Sequence, residues 1–395
     1  MTPKGVSLRS SRAARRGRIT AGVVIVLAGL IAGCTSGQPA TQTWEELDAA
    51  GPGTIVTLTG TSGGLLIGRH DPNAVPRSIL QERRGDGQVR LIPLRSGKDA
   101  YAREAELLSV SANGDDVVAL GGFRAGAHGN VRWTVWRGTM RALVEQPQTF
   151  ETFGGIDAGM VKGAASSSAG PVLVGTWLNP TAKGYDLTTW EPKGARWVQP
   201  RSGAVSAATA KDLPSPGAVS AAGGRFEVAG WVTRLTAPLR DEPVVWSATD
   251  PAGPWHEVPL PVPDDEPIVR ASAIDCTSDY CIVGGRSAGQ VVVWRLTLHA
   301  GRPDRIDPPQ TFATTADLDR PMVAVAAASP HDIVAFAEGG TTRTIVLGDD
   351  SAPFEHQGEL VALATDGSGR VMLATHEGSM NHLRALTPRT TGPEN

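Results

Sequence analysis

A short apolar run ending in a small residue returns along this chain at an almost constant interval, and nothing else in the sequence restricts the fold as strongly. It reads Leu65-Leu66-Ile67-Gly68, Val117-Val118-Ala119-Leu120-Gly121, Val172-Leu173-Val174-Gly175, Phe226-Glu227-Val228-Ala229-Gly230, Cys281-Ile282-Val283-Gly284 and Ile333-Val334-Ala335-Phe336-Ala337. The small residues stand at 68, 121, 175, 230, 284 and 337, so the steps are 53, 54, 55, 54 and 53 residues. A seventh run, Val371-Met372-Leu373-Ala374, comes early, 37 residues after the sixth. A second alternating run precedes each small residue by about ten positions, as in Leu107-Leu108-Ser109-Val110-Ser111 and Met322-Val323-Ala324-Val325-Ala326. Turn formers such as Asn113-Gly114-Asp115 and Asp366-Gly367-Ser368-Gly369 separate the two runs, so each pair reads as a hairpin. A third run carries Trp136, Trp190, Trp246 and Trp294, and its fifth copy, Thr344-Ile345-Val346-Leu347, lacks the Trp. A weaker fourth segment follows, as in Trp197-Val198-Gln199-Pro200 and Trp255-His256-Glu257-Val258-Pro259.

Four short strands in about 54 residues are the dimensions of one blade of a β-propeller. Tandem sandwiches would need about 100 residues per unit. Six full copies run from about 55 to 358, with a shortened seventh from 359 to 388. A ring of blades has to close, because an open sheet edge is a pairing hazard. The expected fold is therefore all-β, a single propeller domain over 43–388 with seven four-stranded blades. The segment from Thr43-Trp44 to Val56 supplies the outer strand that the last blade lacks. Six blades is the alternative, with the last copy a cap, and 389–395 reads as a loose tail. Trp recurring at one phase of a repeat reads as packing between blades in preference to a glycan platform.

The N-terminus adds a cellular address. Lys4, Arg9, Arg12, Arg15, Arg16 and Arg18 precede an apolar run from Ile19 to Ala32, with no acidic residue before Glu45. The run is shorter than the roughly 20 residues that span a bilayer, so it reads as the core of a secretory signal. Leu30-Ile31-Ala32-Gly33-Cys34 resembles the lipobox of bacterial lipoproteins. That resemblance implies cleavage after residue 33, a lipid on Cys34, a flexible tether over 34–42 and residence at the extracytoplasmic face of the cell membrane. A plain signal peptide or an uncleaved anchor is the alternative. Arg15-Arg16 hints at twin-arginine export, but Gly17-Arg18-Ile19 departs from that pattern. Loss of residues 1–33 removes six basic and no acidic side chains from 37 and 40, leaving a formal charge of −9. An acidic chain is poorly suited to nucleic acid, and only the lipid would hold it to a membrane. Outside the cytoplasm Cys276 and Cys281, five residues apart, are expected to form a local disulfide.

With the repeat and Cys34 together, the chain resembles the lipid-anchored or secreted β-propeller proteins of high-GC Gram-positive bacteria. Trp246-Ser247-Ala248-Thr249-Asp250-Pro251-Ala252-Gly253-Pro254-Trp255 is similar to the Asp-box turn of sialidase-type propellers, with one extra residue between Ser247 and Asp250. Gly121-Gly122 and Gly284-Gly285 resemble the diglycines of kelch blades, without the Tyr expected before the Trp. These turns are structural in those families and imply no reaction.

Chemical motifs are sparse. The Gly-x-Ser-x-Gly spacing of Gly60-Thr61-Ser62-Gly63-Gly64 lies between two strand-like runs and not in a strand-to-helix elbow, and no phosphate-binding Gly-x4-Gly-Lys loop is present. His376-Glu377 is followed by His382 at six residues, two more than a zinc-protease helix requires, and no metal or cofactor is expected. A sialidase would need a nucleophilic Tyr, and the chain has Tyr101, Tyr185 and Tyr280 alone, the last inside the Cys276–Cys281 turn. Arg69, Arg124, Arg234 and Arg286 follow the second strand of their units, which suggests an electropositive, anion-binding channel mouth. Rim charges paired with neighbouring carboxylates are the plainer reading. The expected function is a monomeric, non-catalytic platform or scaffold for an envelope protein or cell-wall glycan. The alternatives are a glycan hydrolase or lyase acting at the channel mouth, and a structural subunit of a membrane complex. Replacing Cys34 with Ala is expected to abolish incorporation of a labelled fatty acid and to move the protein from the membrane to the soluble fraction. Unchanged labelling of the variant would sink the lipoprotein reading.

Overall fold

Antiparallel strands group along the chain into seven sheets, and in all but the last the four blade strands follow chain order from the ring axis outward. The computed structural model describes residues 42–387, apart from 50, 98–99, 125–129, 156–157, 201–202, 264–265, 300–301, 316–321 and 350–351. The expected leader, Cys34 and C-terminal tail fall outside the described residues. Blade one comprises Thr54–Thr61, Gly64–His70, Ser78–Arg84 and Val89–Ile92. Blade two comprises Glu106–Asn113, Asp116–Arg124, Val131–Thr139 and Ala142–Glu145, and Leu94–Arg95 runs parallel to its outer strand. Blade three is Ala158–Ser167, Gly170–Asn179, Gly184–Lys193 and Arg196–Val198. Blade four is Asp212–Ala222, Arg225–Arg234, Arg240–Ala248 and His256–Pro259. Blade five is Arg270–Cys276, Tyr280–Ser287, Gln290–His299 and Arg302–Ile306, with Gln310–Ala313 also paired to its third strand. Blade six is Val323–Ala326, Ile333–Glu338, Thr341–Val346 and Phe354–Gln357.

Blade seven closes the ring. Its three inner strands are Glu359–Thr365, Val371–Glu377 and Met380–Leu386, and its outer strand is Trp44–Leu47 from the other end of the domain. Trp44 pairs with Leu386 and Leu47 with Leu383. The fold is thus an all-β propeller of seven blades, closed as the shortened seventh repeat implied.

Each second strand is buried on both faces because it lies in a sheet sandwiched between two neighbouring sheets. This explains the continuous apolar runs that reveal the repeat, where a strand with one wet face would alternate. Among the described residues, buried apolar side chains fall into seven clusters, one between each adjacent pair of blades. The recurrent Trp fill them: Trp136, Trp190, Trp246 and Trp294 are at most 1% exposed. Each ring lies over a glycine of the second strand. A β-carbon on Gly121, Gly175, Gly230 or Gly285 would stand 2.8, 3.0, 2.8 or 2.9 Å from the six-membered ring of its Trp.

This geometry corrects the phase of the repeat at two places. The glycine beneath Trp294 is Gly285, whereas Gly284 faces Val323 and Val325 of the next blade. Gly68 likewise faces Leu107 of the next blade. The blade-one equivalents of the Gly–Trp pair are therefore Arg69 and Gln81, whose side chains are joined by a 2.9 Å hydrogen bond from Arg69 Nε. In blade seven the pair is Thr375 and Arg384, at 3.0 Å. Polar pairs thus replace Gly–Trp on both sides of the closure.

A register shift interrupts the innermost strand at the same place in six blades, for example between Leu107 and Ser109 and between Ala271 and Ala273. Such bulges sharpen twist and re-aim one side chain. Hydroxyls near the axis stitch neighbouring blades together. Thr59 donates to the Val110 carbonyl at 2.7 Å, and Ser111 accepts from the Ser166 amide at 2.9 Å.

The Trp–Gly contact leaves no room for a methyl group. Gly121→Ala would also place its β-carbon 2.9 Å from the Glu106 carbonyl, so it is expected to cost about 1–3 kcal/mol. Gly85→Ala, in open space, should be close to neutral. Urea denaturation of both variants tests this, and equal stabilities would refute the packing account.

Candidate functional site

Strand alternation gives the ring two unlike faces. The links from each outer strand to the next inner strand share one face, called upper here, with the turns between second and third strands. The remaining turns lie on the lower face. The central channel is a cavity of about 390 Å³ lined by innermost strands from all seven blades. Its described lining is backbone, hydroxyls and small apolar groups, and Asp275 is the one ionisable side chain among them. Desolvation pushes Asp275 up to about 6, against hydrogen bonds from the Ala327 and Cys276 amides at 2.9 and 3.1 Å.

The four arginines of the expected mouth do not converge there, and none lines the channel cavity. Arg69 is fully buried and holds the closing linker, donating to the Ala49 and Gly53 carbonyls at 2.5 and 3.4 Å. Desolvation lowers its pKa, opposed by Asp48. Arg286 is also buried and donates to Thr314 at 3.3 Å, beneath the extra strand of blade five. Arg234 sits among Glu242, Asp212 and Glu257 at 2.8, 3.1 and 3.9 Å. Arg124 alone is exposed beside an upper-face hollow. The physical reason is that equal strand position fixes height on the ring but not radius or cover.

The cysteines do meet. Cys276 and Cys281 are directly paired across a hairpin, with Cα atoms 4.1 Å apart, and form a disulfide. Beside them the Tyr280 hydroxyl donates to Asp332 at 2.6 Å, and Arg295 pairs with Asp332 while stacking on the Tyr280 ring at 3.8 Å. Desolvation and Asp332 push the phenol up to about 12, which holds it neutral and structural. His382 pairs with Glu46 at 3.0 Å across the closure. Among the described residues no group of three or more His, Cys, Asp or Glu is arranged to hold a metal.

The upper face is distinguished by its apolar side chains. Of the thirteen exposed large hydrophobics among the described residues, Val89, Leu91 and Val144 lie on outer strands, and the other ten lie on this face. They include Leu108 on its bulge, Met160, Leu239 and Met322, exposed by 48, 55, 51 and 44%. They are densest over blades one to three, where three adjoining hollows of about 530, 250 and 180 Å³ share Val131 and Trp133. Two short helices, Ala100–Glu104 and Phe150–Phe153, lie in the links that enter blades two and three. They bring Tyr101 and Phe150 to Arg132, whose guanidinium carbon lies 5.9 and 4.6 Å from their ring centroids. Arg77 and Glu104 form a 2.8 Å ion pair at the edge of the largest hollow. Sequence reasoning missed Arg132 and Trp133. The available signal was the aromatic content of the two links, Tyr101, Phe150 and Phe153, which the strand period does not require.

No protein-family model and no curated protein sequence matches this chain. Among solved structures it is similar to a glucose dehydrogenase, 13% identical over 88% of this chain and 99% of that one, with a TM-score of 0.43. It is similar to a Penicillium chrysogenum alpha-L-arabinanase complexed with arabinobiose, 13% identical over 72% and 94%, with a TM-score of 0.42. It is also similar to the Dos1 propeller, 8% identical over 84% and 78%, with a TM-score of 0.38. No activity is carried over from likenesses this distant.

A buried carboxylate away from the upper face gives a pH signature. Glu227, 1% exposed, is pushed up to about 7 by desolvation, against a 2.9 Å hydrogen bond from Ser247 and the Arg225 guanidinium 3.9 Å away. Because its folded pKa is raised, its contribution is full below its ordinary 4.5 and is lost as pH rises through about 7. Between pH 4.5 and 7 the native protein should therefore lose stability relative to Glu227→Gln, by at most on the order of 3 kcal/mol. Denaturant melts from pH 4 to 8 measure the difference, and a constant offset would contradict the raised pKa.

Proposed function

We propose that this protein is a non-catalytic, extracytoplasmic binding platform, anchored through Cys34, that engages an envelope protein with its upper face. The observation that carries the reading is the gathering on that face of ten of the thirteen exposed large hydrophobics among the described residues. Monomers rarely leave a contiguous apolar surface without use, and Trp, Met and Arg are enriched at interface centres. The described chain enters the ring at the lower end of Trp44–Leu47, on the side opposite to this face.

The alternative of a glycan hydrolase or lyase at the channel mouth has less support. Hydrolysis of a glycosidic bond generally uses two carboxyl groups about 5–10 Å apart, and the described channel lining offers Asp275 alone. In-cell cross-linking of the native protein and of the double variant Leu239→Glu, Met322→Glu tests the platform. One reproducible protein partner, lost or reduced at least tenfold in the variant, is expected. Capture of that partner at equal yield by the variant, or enrichment of wall glycan without protein, would overturn the reading.

A further inference from the structure

Arg132 lies at the upper end of the third strand of blade two, half-buried between the two link helices. Phe150 and Tyr101 flank its guanidinium and supply ring faces, which attract the charge but accept none of its N–H bonds in the guanidinium plane. Among the described residues it makes no hydrogen bond or ion pair. The nearby Glu145 lines the same 250 Å³ hollow, but its carboxylate accepts the Gly97 amide at 2.5 Å and forms no ion pair with Arg132. Arg132 therefore differs from Arg77, Arg234 and Arg270, each of which meets a carboxylate within 3.1 Å. A guanidinium remains charged at any physiological pH and presents a fork of donors matched to an oxyanion. Stacking has already fixed its orientation, so little side-chain freedom remains to be lost on binding.

The larger neighbouring hollow is of another kind. Leu108, Phe123, Val131, Trp133 and Met160 line it, a set of flexible aliphatic and aromatic surfaces. Such a surface fits an apolar amino-acid side chain better than the hydroxyl-covered edge of a sugar. Trp133 borders both hollows. We infer that this pair of hollows is a recognition site for a peptide segment of the partner in which an Asp or Glu, bound by Arg132, adjoins a large apolar residue seated over Trp133. The inference rests on the platform reading and names the chemistry of its partner.

The test uses the blocked tripeptide acetyl-Leu-Glu-Phe-amide and its Gln counterpart, titrated by NMR into the native protein, Arg132→Gln and Arg132→Lys. Inorganic phosphate and N-acetylmuramic acid are run alongside as other oxyanion sources. Thermal melts of each variant confirm folding. The Glu peptide is expected to bind the native protein, to weaken at least tenfold in Arg132→Gln and several-fold in Arg132→Lys, and to outbind the Gln peptide by a similar factor. Its affinity should fall as salt rises from 0.05 to 0.5 M. Equal binding of the two peptides, no binding of either, or tighter binding of phosphate or the amino sugar would overturn the inference. Cross-linking with Arg132→Gln separates this failure from that of the platform. Undiminished capture by Arg132→Gln, together with loss in Leu239→Glu, Met322→Glu, would leave the platform standing and remove the acidic-peptide site.

Discussion

Ring closure rests on four residues of backbone pairing between Trp44–Leu47 and Met380–Leu386, two segments more than 330 positions apart in sequence. Bringing them together carries a loop-closure cost that local blade formation does not. The contacts at the seam are correspondingly dense. Thr43 and Thr387 exchange hydrogen bonds beyond the last strand pair, and Glu46 meets both Arg384 and His382. Asn381 bridges to blade one through the Ile55 amide and the Gly53 carbonyl, each at 2.9 Å. The buried Arg69 holds the linker between them. An arginine this deep is costly to desolvate and is tolerated only when its donors are occupied, so its place beneath the closing linker has a physical logic.

The rest of the ring follows from stacking. No blade owns a core: each has two half-cores that its neighbours complete, so every interface depends on the next and the whole depends on the seam. Trp over Gly is the solution to packing a wide ring between sheets, and it holds for blades two to five. At the seam the same positions carry Arg69 with Gln81 and Thr375 with Arg384, which exchange apolar volume for directional hydrogen bonds. Such bonds fix register more sharply than nonpolar contact, an advantage where two distant chain segments must find one another.

The upper face departs from this regularity because the links into blades two and three are long enough to carry helices. They bring aromatic rings to the third strand of blade two and build, around Arg132 and Trp133, a surface that the repeat does not specify. The lower face carries tight turns such as Asn113-Gly114-Asp115 beside longer links such as 249–255, and no helix lies in its described links.

Period and strand count were legible in the sequence, because a strand buried on both faces must be apolar along its length and a blade must be repeated to be buried at all. The same argument made the shortened seventh repeat a statement about closure, and the short spacing of Cys276 and Cys281 in a chain read as exported made them partners in a local disulfide. The arginines were not legible. Arg69 and Arg286 follow their runs much as Arg124 and Arg234 do, yet the first two are buried and the others reach solvent. A one-residue change of phase, invisible in a string of small and apolar residues, puts Arg69 where blades two to five have glycine. Arg132 was hidden for the complementary reason: its surroundings come from two links outside the repeat, some 30 residues before it and 20 after. Sequence determined which segments become strands and the period at which they repeat, since local pattern and burial suffice for that, whereas closure as seven blades instead of six rests on the pairing of Trp44–Leu47 with the last sheet. Which polar side chain is covered and which is left facing solvent was decided only by tertiary structure, since it depends on groups that the chain brings together from different blades.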